Sequence, residues 1–168
     1  MRTIAMILAG SAALMLAACG ADSPEAGTAA DDEGAQYTID PATGEIRMTI
    51  RRETGEATLR SGARVPVSLP AGFSLFPGSR VVSNSLVTRP DGQGILITFE
   101  TAAPAEAVIA HYRAEAEAAG FAIQLELAAN GSVLVGGKRA RDGASLSVTA
   151  TTGTPVTGQI IINTMTGG

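Results

Sequence analysis

The chain has 168 residues, a length that suits one domain, and 45% of its residues are hydrophobic, enough to build a core without disulfides or metal. Its formal net charge is −4, and its only aromatic residues are four Phe and two Tyr. A chain with no basic excess and so few aromatic side chains lacks both the electrostatic surface and the stacking platform of a nucleic-acid-binding protein.

The first element is an apolar N-terminal segment that ends at the only cysteine. Arg2 provides a positive start, and residues 4–18 are almost entirely apolar. Leu16-Ala17-Ala18 places small residues directly before Cys19, as at the cleavage site of a signal peptide. Fifteen residues at about 1.5 Å of rise span only about 22 Å, less than the roughly 30 Å hydrocarbon core of a bilayer. We therefore favour a cleaved signal over an uncleaved transmembrane helix.

This segment resembles the lipobox of bacterial lipoproteins. In that family the cysteine thiol receives a diacylglyceryl group, a signal peptidase cuts before the cysteine, and the new amine is usually acylated. The resemblance implies that residues 1–18 are a signal peptide and that Cys19 is the lipid attachment site, through which the membrane is a partner. It also implies residence at the outer membrane, facing the periplasm, because Gly20 is not the aspartate that retains lipoproteins at the inner membrane in some bacteria. A plain secretory signal with an incidental cysteine is the alternative.

Residues 19–36 are predicted to form a disordered, lipidated tether. Five acidic residues lie between Gly20 and Gln36, where there is no Lys or Arg and where Ala, Gly, Ser and Thr are frequent. Such a segment buries too little apolar surface to fold. A single domain is then predicted over residues 37–168, with a hairpin region at 37–66 and the main sheet and helix at 67–168.

The hairpin region shows strand alternation beside a cluster of arginines. Apolar and polar residues alternate from Ile46 to Arg51, and a weaker second strand follows at 57–60. The arginines are of a kind that binds phosphate or sulfate, but acidic residues lie among them, so we interpret the cluster as a solvated strand face. Its members are Arg47, Arg51, Arg52, Arg60 and Arg64, interspersed with Glu45, Glu53 and Glu56.

Residues 69–79 are predicted to be an ordered loop that closes one edge or end of the core. Prolines and glycines prevent regular pairing there, while the apolar side chains demand burial. An aromatic ligand pocket is the alternative interpretation. The apolar residues of this loop are Leu69, Phe73, Leu75 and Phe76.

From residue 80 onward the periodicity predicts the order β-β-α-β-β-β-β. Strands are expected at 81–88, 95–100, 121–127, 132–138, 144–151 and 159–164, with a helix between Pro104 and Gly120. Asn130-Gly131 is the strongest hairpin signal. The expected fold class is α+β: an antiparallel sheet with one amphipathic helix packed on one face, preceded by the short N-terminal hairpin. The expected apolar stripe of the helix is Val108, Ile109, Tyr112, Ala116 and Ala119, with Arg113, Glu115 and Glu117 toward water.

At a loose level this body resembles small uncharacterised envelope lipoprotein domains. In those domains a Pro-Gly-Ser loop precedes two strands, a helix with a central Tyr, and a Gly-aromatic start to the next strand. The matching residues are Pro77-Gly78-Ser79, Tyr112 and Gly120-Phe121, within residues 69–164. The resemblance implies no catalytic residue.

The residues with catalytic potential are few and scattered. His111 is the only histidine, so every zinc site or Ser/His/Asp triad would have to include it, and we interpret it as a partly exposed structural residue. Lys138 could serve a Ser-Lys dyad, but we interpret it as a surface lysine. Glu100 and Glu106 could form an acid-base pair, but we interpret them as helix-dipole and solubility groups. No catalytic, metal or cofactor residue is predicted.

The sequence therefore favours a membrane-anchored, non-enzymatic binding or accessory module of the cell envelope, monomeric and with an envelope protein as a potential partner. Two alternatives stay open. One is a small hydrolase-like enzyme. The other is a carrier of an apolar ligand, which needs a hollow between helix and sheet, where Ala116 and Ala119 would instead permit close packing.

Overall fold

The computed structural model describes residues 30–31 and 34–165, which form one ten-stranded antiparallel sheet and one helix. In space the strands follow the order β1-β2-β3-β4-β5-β6-β10-β9-β8-β7. The predicted signal peptide, Cys19 and most of the predicted tether lie outside the described residues. The elements are β1 (Ala30–Asp31), β2 (Ala35–Ile39), β3 (Ile46–Arg52), β4 (Gly55–Gly62), β5 (Arg80–Arg89), β6 (Gly92–Thr101), α1 (Ala105–Ala118), β7 (Ala122–Ala129), β8 (Ser132–Lys138), β9 (Ser145–Thr151) and β10 (Val156–Met165).

The predicted α+β class and the order β-β-α-β-β-β-β are confirmed from β5 to β10. The predicted hairpin is β3–β4, and it joins the main sheet because β4 pairs with β5. The strands β1 and β2 were not predicted. The strand β2 begins at Ala35, two residues before the predicted start of the domain, and residues 30–31 pair with it.

Local sequence explains the ends of α1 and the β7–β8 turn. Pro104 is the N-cap residue, and Gly120 adopts a φ of +85°, which ends the helix. Asn130 and Gly131 have φ values of 52° and 74°, the left-handed pair that a tight type I′ hairpin requires.

The main core lies between α1 and one face of the sheet. The helix packs on β7, β8, β9 and β10 through the predicted apolar stripe, of which Val108, Ile109, Tyr112 and Ala116 are buried. The loop at 69–79 covers one end of this core, since Phe73 stacks edge-on against Phe121 with ring centroids 5.7 Å apart. Its predicted role in closing the core is confirmed.

The apolar side chains lie on opposite faces in the two halves of the sheet. On β6 the buried side chains of Ile95, Ile97 and Phe99 face α1. Residues that lie directly opposite each other on neighbouring strands point to the same face of a sheet. The pairing of β6 with β5, and of β5 with β4, therefore places Arg60 on the α1 face and Leu59 on the opposite face. We call the surface opposite α1 the open face. The large apolar residues of β2–β4 on the open face are Tyr37, Ile39, Ile46, Met48, Ile50 and Leu59.

A bulge in β7 also turns apolar side chains to the open face. Ile123 lies opposite Gly137, but the register then shifts, and Leu125 lies opposite Gly136. The unbroken alternation expected from Phe121 to Leu127 is therefore wrong, because one extra residue reverses the direction of all later side chains. Leu125 and Leu127 are 54% and 56% exposed as a result.

Among the described residues, no helix has both the length and the apolar character needed to cross a bilayer.

Candidate binding site on the open face

Glu115 contacts both Ser74 and His111, but this arrangement does not suit nucleophilic catalysis. Ser74 Oγ donates directly to Glu115 Oε1 at 2.6 Å, and the backbone N–H of Ser74 donates to Oε2 at 3.2 Å. In a catalytic triad the imidazole stands between hydroxyl and carboxylate. Here His111 Nε2 lies 3.3 Å from Glu115 Oε1, and within the described residues it makes no hydrogen bond. Glu115, expected to face water, instead fixes the 69–79 loop to α1.

Tyr112 fixes the same loop from inside the core. Its hydroxyl oxygen accepts a hydrogen bond of 2.8 Å from the backbone N–H of Phe76. Burial raises the pKa of Tyr112, so the phenol stays neutral and has no acid-base role near neutral pH. His111 packs edge-on against Phe76, with centroids 5.3 Å apart, and is half-buried. These contacts support a structural role for both side chains.

The remaining catalytic candidates are not brought together. Glu100 forms an ion pair with Arg80 across β5 and β6, whereas Glu106 is exposed in the first turn of α1. Lys138 is exposed at the end of β8, although a lysine base in a Ser-Lys dyad needs a desolvated amine. In the part of the chain that the structure describes, no group of three or more His, Cys, Asp or Glu residues is arranged to hold a metal ion.

The arginine cluster of the hairpin region is largely paired with its own acids. Arg60 binds Glu45 through two hydrogen bonds of 2.7 and 3.1 Å, and these hold the pKa of Glu45 below its ordinary value. Arg51 pairs with Glu56 at 3.0 Å. The interpretation as a solvated strand face fits these pairs. Arg64 donates to the carbonyl of Ala42.

The interface between α1 and the sheet is filled. Phe99, Val108, Tyr112, Val148 and Ile160 all have 0% exposure, so none of these side chains borders a void large enough to admit water. Ala116, also fully buried, allows the helix to approach the sheet closely. The hollow that a carrier would need at this position is not available in this conformation.

The open face carries an apolar hollow instead. It has a volume of about 220 Å³ and lies over β3, β4 and β5. The main chain beneath it is already paired in the sheet, so the hollow offers a ligand mainly side-chain surface. The lining residues are Met48, Ile50, Ala57, Thr58, Leu59 and Val87.

A second hollow, of about 270 Å³, lies on the open face over β7–β10 and is partly polar. Lys138, Ser145 and Asn163 lie side by side on β8, β9 and β10, and Asn163 Nδ2 donates to Ser145 Oγ at 3.4 Å. Gly136 contributes no side chain, which leaves the floor of the hollow open. Leu125 and Ile161 add apolar walls.

A third hollow, of about 490 Å³, lies between the β3–β4 and β5–β6 turns. Its two arginines are Arg52 and Arg89, and Arg89 is paired with Asp91 at 3.2 Å. This hollow is formed largely by turn residues, including Thr54 and Pro90.

Sequence reasoning identified the strands of the first two hollows but not the hollows themselves. Alternation shows which residues of one strand share a face, but it does not show which residue lies opposite on the next strand. That pairing depends on register, which tertiary structure sets. The only sequence signal was the pair of glycines before Lys138, because glycine inside a strand often marks a close approach of a ligand or backbone.

The fold and the hollows define an α+β domain with a filled core and an uncovered apolar sheet face. Residues 81–159, which run from β5 through α1 into β10, match the START domain-like family. The match covers just under half of the chain. It includes α1 and most residues of the second hollow, but not Ile161, Asn163 or β1–β4. No curated protein and no solved structure gives a significant match.

Proposed function

We propose that this chain is a non-enzymatic ligand-binding module that binds an apolar chain on the open face of its sheet. The match to the START domain-like family supports ligand binding, because domains of that kind generally bind ligands rather than catalyse reactions. The arrangement of Ser74, His111 and Glu115 supports the same conclusion, since it fixes a loop and places no imidazole between the serine and the carboxylate.

The observation that carries this proposal is the change of apolar side within the sheet. Strands β2–β4 direct their apolar residues away from α1, so these residues take no part in the main core. A large apolar patch without a cover is typical of a binding surface. The filled α1 interface leaves the open face as the surface on which an apolar ligand can lie.

The first prediction tests the apolar hollow by charge insertion. Met48→Lys should reduce labelling of the full chain in its membrane by an uncharged, photoreactive long-chain alcohol about tenfold, which corresponds to about 1.4 kcal/mol of lost apolar contact. Mass spectrometry of the labelled peptides measures the yield and should place the label on β3–β5.

Thr49→Lys is the matched control, because Thr49 is the next residue of β3 and points to the opposite face. It should leave labelling unchanged. Equal losses in the two variants, or label only on α1 and the loop at 69–79, would contradict the open-face site. Far-UV circular dichroism of both variants separates lost binding from lost folding.

We also propose that the module is anchored to the membrane through Cys19 and faces the periplasm from the outer membrane. The resemblance of residues 16–19 to a lipobox supports this anchor. Cys19→Ser should yield unprocessed or soluble protein, because the thioether is the proposed attachment and acyl chains hold the mature protein on the bilayer. Immunoblotting of membrane fractions from a density gradient measures both residence and processing. A processed Cys19→Ser protein that stays on the membrane would overturn the proposal.

A further inference from the structure

We propose that the hollow around Lys138 binds the anionic headgroup of an elongated amphiphile whose chain extends across the sheet to the apolar hollow over β3–β5. This inference rests on the proposed function, since it names the ligand class of the same open face. The proposed ligand is a carboxylate or phosphate joined to a long hydrocarbon chain.

The first support is the polar character of the hollow. Lys138 supplies three N–H donors, and Ser145 and Asn163 add hydroxyl and amide groups beside it. These groups suit an anionic oxygen, whereas Leu125 and Ile161 in the same hollow suit the first carbons of a chain.

The second support is the charge balance around Lys138. The neighbouring cations Arg139 and Arg141 both approach Asp142, and the hydrogen bonds from Arg139 hold the pKa of Asp142 low. Among the ion pairs of the described residues, none includes Lys138. Glu126 lies on the α1 side of the β7 bulge, where it pairs with Arg113. The ammonium group is therefore available to an external anion.

The third support is the register of the sheet, which aligns the two hollows. One continuous row of directly opposed residues crosses eight strands at right angles to them. The row begins with a cation, continues through small or polar residues, and ends in large apolar ones. In spatial order it is Lys138, Ser145, Asn163, Gly94, Val87, Leu59, Met48 and Tyr37.

The spacing of this row fits one lipid-sized molecule. Neighbouring strands are about 4.8 Å apart, so the four steps from β8 to β5 cover about 19 Å. Half of a bilayer with headgroups is roughly 20–22 Å thick, which is the length of one lipid. Gly94 lies between Asn163 and Val87 in this row and adds no side chain, and Asn163 Oδ1 lies over it, 3.0 Å from where a Cβ atom of residue 94 would stand.

The experiment compares two photoreactive probes of equal chain length on the full chain in its membrane, one a fatty acid and the other the uncharged alcohol. Wild type should be labelled about fivefold more by the fatty acid, as expected for an ion pair at an exposed lysine. Lys138→Gln should remove this preference while keeping the labelling by the alcohol. Lys138→Arg should retain the preference, and so should Arg52→Gln, which removes a cation from the hollow at the turns.

Several other results would overturn the inference. If wild type shows no preference for the fatty acid, or if Lys138→Gln retains that preference, the proposed headgroup site is wrong. Labelling by the alcohol would in that case still support the apolar site. Acetate that competes at the same concentration as unlabelled dodecanoate would indicate a plain anion site without a chain. Absence of labelling by both probes would refute the proposed function together with this inference.

Discussion

Tyr112→Ala should lower the free energy of unfolding by about 3–5 kcal/mol, as large aromatic truncations in a core do. Tyr112 is fully buried between Phe99 and the 69–79 loop, and its removal would leave a cavity and an unpaired Phe76 N–H. A domain is typically stable by only about 5–15 kcal/mol, so much of the population could unfold. Urea denaturation followed by circular dichroism measures the change.

Tyr112→Phe separates packing from hydrogen bonding, because it keeps the ring and removes only the acceptor for Phe76. It should cost about 1 kcal/mol. His111→Ala is expected to change stability less than Tyr112→Ala, since His111 is only half-buried. A Tyr112→Ala protein as stable as wild type would show that Tyr112 is not a core residue. If His111→Ala folded normally but lost function, the enzyme hypothesis would have to be reconsidered.

Gly158→Ala should destabilise the domain by about 3 kcal/mol through overpacking. Gly158 on β10 lies directly opposite Phe99 on β6, and a Cβ atom there would lie within 2.7 Å of three carbons of the Phe99 ring. Phe99 is itself fully buried, so the ring has little room to move. Thermal and urea unfolding of the variant measure the loss.

Gly136→Ala is the matched control, because Gly136 is also a buried strand glycine of the same sheet. A Cβ atom at Gly136 would meet its nearest neighbours at 3.6 Å, an ordinary contact. This change should be neutral or slightly stabilising, since glycine inside a strand costs about 0.5–1 kcal/mol relative to alanine. Equal stability of the two variants would show that the Phe99 ring can shift to accommodate a methyl group.

The parts of the fold that could be predicted from sequence are those governed by local rules. Pro104 and Gly120 bounded α1, and Asn130-Gly131 located the β7–β8 turn, because each depends on backbone preferences of one or two residues. The strand β8 has the bounds predicted for the strand that follows this turn. Tyr112 was correctly placed in the core by its helical spacing.

The candidate site depends on relations that a single sequence does not display. The β7 bulge places Leu125 on the open face, although the sequence around it reads as regular alternation. Alternation in β3 identified an apolar side but not which face of the sheet it occupies. The alignment of Lys138 with Leu59, about 80 residues earlier in the chain, arises only from the registers of the intervening strands.

The helix covers only one half of the sheet, so local stability should differ between the two halves. The helix supports β7–β10, whereas β2–β4 are held by hydrogen bonds along the sheet and by side chains that water still reaches. Segments with few buried apolar contacts open at lower free energy than the global unfolding step. The N-terminal strands should therefore behave as a separate, weaker cooperative unit. A ligand that covers their apolar side would couple that unit to the rest of the domain.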